Sequence, residues 1–185
     1  MITILDTLIT SKTRIKLLLK FFLNSKNSAY LRNLETEFGE STNAIRLELN
    51  KFEEAGLLTS NLSGNKKLFT ANTKHPLFVD IRNILMKYTG LDQIVEHVIN
   101  KLGDVREVYL TGDLSKGIDS QMIDLVIVGD INKTYLLKLI ERVEELIPKK
   151  VRYLIFSPSE FEESHKYALN TNHLLLWEKD NKTND

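Results

Sequence analysis

Three polar side chains at helical spacing are the clearest candidates for binding chemistry in this sequence. Asn43, Arg46 and Asn50 are three and four residues apart, so a helix turns them toward one side. The same spacing turns three apolar side chains toward the other side, namely Ile45, Leu49 and Phe52. Asparagine and arginine carry paired hydrogen-bonding groups that fit base edges, and the apolar side can pack on a core. This two-faced helix is predicted to recognise DNA. Leu47 projects near the polar side, where it meets either a thymine methyl group or another protein.

The surrounding elements must position this helix. The sequence predicts, in order, a helix from Ser11 to about Leu23, a polar break over 24–28, a short helix ending at Gly39, the polar-faced helix from Ser41 or Thr42 to Gly56, strands at Leu57–Ser60 and Leu68–Ala71, and a helix from Pro76 to Gly90. Serine and threonine are preferred helix caps, and glycine is preferred just after a helix. The two strands enclose a glycine-containing turn at residues 63–65, typical of a hairpin, and Lys66 and Lys67 lie at its tip.

This order of elements resembles the winged helix-turn-helix domain of ArsR-like transcription regulators. The segments that carry the resemblance are SKTRIKLLLKFF, GESTNAIRLELNKFEEAGLL, SGNKKLFTAN and, after the wing, HPLFVDIRNIL. The resemblance covers about half of the chain. It implies a homodimer that places two recognition helices in successive major grooves of double-stranded DNA.

The resemblance also implies roles for individual residues. Asn43, Arg46 and Asn50 would reach base edges or phosphates. Ser41 and Thr42, at the helix N-terminus, would bind a phosphate. The tip lysines, Lys66 and Lys67, would contact the adjacent backbone or the minor groove. The alternative is that these residues form an ordinary solvated helix face and a solubilising turn.

The second half predicts helices alternating with apolar strands, which is typical of an α/β domain. The predicted elements are a helix bearing Ile94 to Leu102, a strand Val105–Thr111, a polar loop Gly112–Gln121, a strand Met122–Val128, a helix Asn132–Ile147 with Leu146 on its apolar face, a strand Val151–Phe156, a helix from Ser157 or Ser159 to about Leu169, and a short strand His173–Trp177. The predicted boundary between the two halves lies at residues 88–91.

The segment VYLTGDLSKGIDSQMIDLVIVGD resembles the signature of minimal nucleotidyltransferases, and the likeness extends from Val105 to Phe161. In that family a strand ends in Gly-Ser and the next strand carries Asp-x-Asp. Three carboxylates hold divalent metals that clamp the nucleotide phosphates. Gly112 and Asp124 match the pattern, and Lys116 is a candidate phosphate contact in the loop. Three positions depart from it: Asp113 replaces the serine, Met122 replaces the first aspartate, and the third strand offers Arg152 instead of a carboxylate.

One matching carboxylate cannot hold two metal ions. We therefore expect no catalytic residues, no resident metal and no cofactor in this domain. The alternative is Mg²⁺ with a nucleotide, with Asp113 and Asp124 sharing one ion. The four histidines are scattered and the chain has no cysteine, which argues against metal sensing and against a disulfide framework.

Charge divides the chain in the same way as the motifs do. Residues 1–75 hold 11 lysines and arginines against 7 aspartates and glutamates, a net charge of +4, and residues 76–185 hold 14 against 18, a net charge of −4. Only the front half suits a polyphosphate. Because no apolar stretch approaches the ~20 residues that span a bilayer, and no signal peptide is recognisable, we expect a soluble cytoplasmic protein with no membrane partner.

The predicted fold class is therefore α+β. A winged helix-turn-helix domain, mostly α with a β-hairpin wing, is expected at residues 1–90, a small α/β nucleotidyltransferase-like domain at 91–178, and a polar tail at 179–185. The predicted function is that of a DNA-binding transcription regulator whose second domain serves dimerisation, partner binding or ligand sensing. The alternatives are an active nucleotidyltransferase and an antitoxin-like protein that binds a toxin partner.

Overall fold

The computed structural model describes residues 7–169 and 173–179, and it shows a mixed α+β chain with two sheets. The chain forms two compact units that divide between Tyr88 and Thr89. No helix in the described ranges is long and apolar enough to cross a membrane. Of the predicted polar tail, only Lys179 lies within the described residues.

The first unit contains four helices and a three-stranded sheet among its described residues. Their bounds are α1 Lys12–Leu18, which continues as a π-helical turn Leu19–Leu23, β1 Ser28–Tyr30, α2 Leu31–Phe38, α3 Thr42–Glu54, β2 Leu58–Ser63, β3 Lys66–Ala71 and α4 Phe78–Thr89. The hydroxyl oxygens of Ser11 and Ser41 accept hydrogen bonds from Arg14 N and Ala44 N, each at 3.2 Å, and so fix where α1 and α3 begin.

The sheet of the first unit has the order β1-β3-β2 with antiparallel neighbours. The hairpin is longer than predicted, because pairing continues to Ser63 opposite Lys66 and leaves Gly64 and Asn65 as the turn. The prediction of a polar break over 24–28 was wrong at its end. Residues Ser28–Tyr30 form a strand, which pairs through Ala29 with Phe69 of β3.

The core of the first unit fixes which side of α3 faces outward. Ile45, Leu49 and Phe52 are all buried, whereas Asn43, Arg46 and Asn50 are exposed. The angular assignment made from the sequence therefore agrees with the structure. An ion pair adds to this packing, since Arg14 of α1 bonds Glu48 of α3 through Nε to Oε2 at 2.8 Å and Nη2 to Oε1 at 3.2 Å.

The first unit is expected to lose stability in acid because of this pair. Burial alone raises the pKa of Glu48, but the bonds and charges of Arg14 and Lys51 outweigh it, so the pKa lies below its ordinary 4.5. A carboxylate with a lowered folded-state pKa contributes stability above about pH 4.5, and that contribution disappears as the pH falls through the folded-state pKa. Glu40, bonded to Lys16, behaves in the same way.

Glu48→Gln tests this expectation. The variant should lose about 1 kcal/mol at pH 7, since Arg14 is partly exposed to solvent, and its melting temperature should fall less between pH 7 and about pH 3.5. Far-UV circular dichroism of the full chain measures both effects. Parallel melting curves for variant and wild type across this range would contradict the expectation.

The second unit is built on a four-stranded sheet in the order β6-β5-β4-β7. The bounds of its elements are α5 Leu91–His97, followed by a 3₁₀ turn Ile99–Lys101, β4 Val105–Thr111, α6 Gly112–Ser115, β5 Met122–Gly129, α7 Lys133–Glu144, β6 Lys150–Phe156, α8 Pro158–Ala168 and β7 Leu174–Glu178. Strands β5 and β6 are parallel, and β4 is antiparallel to both β5 and β7.

Two predictions for the second unit were wrong. The loop Gly112–Gln121 begins with the one-turn helix α6. Helix α7 ends at Glu144, not at Ile147, and Leu146 is 56% exposed instead of facing the core. Pro148 accounts for the loss of helical backbone at Ile147, because a proline disfavours that conformation at the residue before it.

Candidate functional site

The first unit has an open groove of about 530 Å³ between the start of α2, one flank of α3 and the tip of the β2–β3 hairpin. Its lining residues are Tyr30, Leu31, Arg32, Asn33, Arg46, Leu49, Asn50, Asn65, Lys66, Lys67 and Phe69. The floor is apolar, and the rim carries amide and cationic side chains.

The groove is positively charged. Four of its lining residues are cationic, Arg32, Arg46, Lys66 and Lys67, and none is an aspartate or glutamate. Cations that converge from three separate elements raise the local concentration of an anion and can bind several of its charges at once. This arrangement of cations is one that can bind an anion.

One of the four cations is held in place by the protein itself. Lys67 Nζ lies 3.1 Å from Glu53 Oε2, at the C-terminal end of α3. Glu53 also accepts a hydrogen bond from the hydroxyl of Ser60 on β2. The bonds from Ser60 and Lys67 lower the pKa of Glu53 and tie the hairpin to α3. Glu53 thus fixes the hairpin relative to the helix, although it offsets part of the charge of Lys67.

The structure brings together four of the seven residues predicted for DNA binding. Arg46, Asn50, Lys66 and Lys67 all line the groove. The other three, Ser41, Thr42 and Asn43, are at the start of α3 and are not part of its lining. The hydroxyl of Ser41 accepts the capping bond from Ala44 N, so it is already engaged within the helix end.

Sequence reasoning missed three polar lining residues: Arg32, Asn33 and Asn65. Arg32 and Asn33 follow β1 directly, and Tyr30 at the end of β1 pairs with Leu68 of β3. This pairing places the start of α2 beside the hairpin tip. The sequence could have indicated these residues only through the pairing of Ser28–Tyr30 with β3, and no local pattern in this three-residue segment predicts that pairing.

In the second unit, the residues predicted as a degenerate nucleotide site lie where β4, β5 and β6 run side by side. Asp124 of β5 pairs in register with Thr111 of β4 and with Arg152 of β6. Arg152 Nε donates to Asp124 Oδ1 at 2.6 Å, and this bond and charge raise the pKa of Arg152. The carboxylate of Asp124 therefore already has a cationic partner.

The two other charged residues of this site, Asp113 and Lys116, form a pair of their own. Lys116 Nζ lies 3.7 Å from Asp113 Oδ1, and both side chains are at least partly exposed. Lys116 thus stands next to a carboxylate, which competes with any phosphate for its charge.

Gly112 is a glycine because Asp124 leaves no room for a side chain. Its backbone has φ +68°, and a Cβ placed there would lie 2.2 Å from Asp124 Oδ2 and 2.9 Å from Asp124 Cγ. The space beside this glycine is therefore filled by the protein's own carboxylate.

The donor set does not fit the metal centre of a nucleotidyltransferase. The strand neighbour of Asp124 is a guanidinium, which repels a divalent cation, and Met122 supplies no oxygen ligand. Within residues 7–169 and 173–179, no group of three or more histidines, aspartates and glutamates is arranged to hold a metal ion.

A cavity of about 790 Å³ in the second unit is lined by residues of β4, β5, α8 and β7. Tyr109 donates a hydrogen bond to Glu107 there at 2.9 Å, and burial together with Glu107 raises the pKa of the phenol. The lining of this cavity includes Glu162 and Glu178 but none of the residues of the predicted nucleotide site. The cavity is thus separate from the predicted nucleotide site.

Comparisons with known proteins assign no family. No family model matches the chain, and no curated protein matches it. Two solved structures align with about half of it. AF1382 from Archaeoglobus fulgidus is 20% identical over 49% of this chain and 94% of that chain, with a TM-score of 0.36. A proposed nucleotidyltransferase from Sulfolobus solfataricus is 22% identical over 53% of this chain and 85% of that chain, also with a TM-score of 0.36. Alignments at these values support no conclusion about activity.

Proposed function

We propose that this chain is a DNA-binding transcription regulator of the winged helix-turn-helix type, and that its first unit binds double-stranded DNA. The observation that carries the proposal is the groove in which Arg32, Arg46, Lys66 and Lys67 converge without a lining carboxylate. A duplex offers a regular line of phosphates, and their neutralisation by lysine and arginine supplies most of the affinity in such complexes.

The dimensions of the parts fit a duplex. Helix α3 with its side chains is ~10–12 Å across, and the major groove of B-DNA is ~12 Å wide. When α3 enters the major groove, the hairpin tip at Lys66 lies beside it and meets the flanking backbone. The polar side of α3 then faces the base edges, while its apolar side stays in the core.

The proposal includes a homodimer that reads two half-sites. Apolar side chains in and just before α4 support it, since Leu77, Val79 and Ile84 are each more than half exposed. Helix α1 is a poorer candidate for this contact, because its apolar side chains are buried in the first unit.

Selection of bound duplexes from a random DNA pool tests the proposal on the full chain. We expect enrichment of one short motif, repeated as an inverted pair about one helical turn apart if a dimer binds. Recovery of unenriched DNA, or of none at moderate salt, would contradict the proposal. Repeating the selection with nucleotides tests whether the second unit senses them.

The second unit is proposed to serve dimerisation, partner binding or ligand sensing, and not nucleotide transfer. The bond between Arg152 and Asp124 supports this, because it occupies the one carboxylate that matches the nucleotidyltransferase pattern. We expect millimolar Mg²⁺ to leave the wild-type melting temperature unchanged.

Reversing the charge at position 152 tests more directly whether Mg²⁺ can bind beside Asp124. R152D sets a carboxylate beside Asp124 on the neighbouring strand, which should lower the melting temperature by several degrees, and Mg²⁺ should restore part of the loss. R152Q is the matched control, because it removes the cation without adding a ligand and should show no response to Mg²⁺. A rise in the wild-type melting temperature with Mg²⁺ would contradict the proposal.

A further inference from the structure

One leucine stands on the polar side of α3. Leu47 is 53% exposed, whereas the other large apolar side chains of this helix, Ile45, Leu49 and Phe52, are buried. It lies four residues after Asn43 and three residues before Asn50, so a helix places these three on the same side. Leu47 is thus an apolar side chain outside the buried core, on the side of α3 that is proposed to meet DNA.

The groove divides the outer side of α3 into two parts. Arg46 and Asn50 line the groove together with the cations of α2 and the hairpin, whereas Asn43 and Leu47 lie outside it. If a strand of phosphates follows the cationic groove, the part of α3 beyond the groove faces the base pairs. Leu47 then points at the floor of the major groove, and no phosphate lies in front of it.

The chemistry of the major groove offers a match for such a side chain. Thymine alone among the four bases presents a methyl group there, and apolar side chains contact it, while asparagine pairs with adenine N6 and N7. An apolar residue one helical turn from Asn43 is thus suited to a site that contains A·T pairs.

A protein docking surface fits Leu47 less well. Docking patches are contiguous apolar areas. The other exposed side chains of α3 are all polar or charged: Asn43, Arg46, Asn50, Lys51 and Glu54. A single leucine among them matches a target as small as one methyl group.

We infer that Leu47 is a specificity-determining residue that contacts the 5-methyl group of a thymine in the recognised duplex. The inference rests on the proposed function, since it names what the DNA-binding side of α3 reads. It also predicts that each half-site contains a thymine whose methyl group is required, next to a position contacted by Asn43.

Replacing thymine by deoxyuridine removes only this methyl group. Each thymine of the selected duplex is replaced in turn, and affinity is measured for wild type and for Leu47→Ala. For the wild type, one replacement per half-site should weaken binding about fourfold, the factor that burial of one methyl group corresponds to. For Leu47→Ala, the same replacement should have no effect. Leu137→Ala is the matched control, because Leu137 is an exposed helical leucine of the second unit, 48% accessible, and its variant should keep the full sensitivity.

The outcomes separate this inference from the proposed function. If the wild type selects a duplex but no thymine replacement matters, or if Leu47→Ala keeps the same sensitivity, the inference is wrong and DNA binding stands. If the wild type binds no duplex, the proposed function fails and the inference fails with it.

Discussion

Removing the charges of Arg46 and Lys66 together is expected to weaken binding to the selected duplex about 100-fold for each protomer bound. Each side chain lines the groove, and a hydrogen bond to a charged group contributes about 1.5 kcal/mol, so the two losses amount to about 3 kcal/mol in each protomer. Fluorescence anisotropy with labelled duplex measures the change for the variant Arg46→Ala/Lys66→Ala.

The salt dependence of the same measurement tells phosphate contacts from base contacts. If both residues bind phosphates, the slope of log affinity against log salt concentration should decrease in magnitude by about 1.8 for each protomer bound, since each contact contributes about 0.9. The loss should also be nearly equal for matched and unmatched duplexes. If Arg46 reads a base instead, its single alanine variant should cost about 1–3 kcal/mol on the matched duplex only.

A second pair of lysines controls for overall charge. Lys26 and Lys74 are exposed residues of the first unit, and they lie neither in the lining of the groove nor in α4. The variant Lys26→Ala/Lys74→Ala changes the net charge by the same amount and should alter affinity only slightly. Equal losses in the two double variants would show that total charge, and not the groove, governs binding.

The sequence predicted the parts of the first unit that depend on local patterns. The two sides of α3 follow from helical periodicity, and its first residue follows from the Ser41 cap. Strand β1 was not predicted, because three residues are too few to show a periodic pattern. The strand with which it pairs, β3, lies about 40 residues away along the chain. Since β1 leads directly into α2, missing this strand also meant missing Arg32 as a groove residue.

In the second unit too, local patterns predicted the elements of the candidate site but not how its strands pair. Apolar runs were enough to predict β4, β5 and β6 nearly to the residue. The parallel register that puts Arg152 beside Asp124 depends on how α7 packs, which the sequence pattern does not specify. The sequence revealed a missing carboxylate on β6, but only the structure shows that a cation bonds the remaining one.

Gly112→Ala is expected to destabilise the second unit by about 3 kcal/mol, because the new methyl group adds a collision to the strain of a left-handed backbone. The strain follows from φ +68°, and the collision follows from the 2.2 Å separation from Asp124 Oδ2. Asp124 cannot move aside without breaking its bond to Arg152. Urea unfolding followed by tryptophan fluorescence reports on this unit, since the single tryptophan of the chain is Trp177 on β7.

A substitution at Gly103 separates the cost of backbone strain from the cost of the collision with Asp124. Gly103 has a similar backbone, φ +83°, but a Cβ there would meet nothing within 4 Å. Gly103→Ala should therefore cost only the ~1–2 kcal/mol of backbone strain. Adding Asp124→Ala to Gly112→Ala should remove most of the excess cost, because the colliding oxygen is then gone. Equal costs for the two glycine variants would mean that Asp124 does not fill this space. If Gly112→Ala costs more than Gly103→Ala, as expected, a glycine is needed at position 112 to leave room for the ion pair between Asp124 and Arg152. Its presence in the sequence is then no argument for a bound nucleotide.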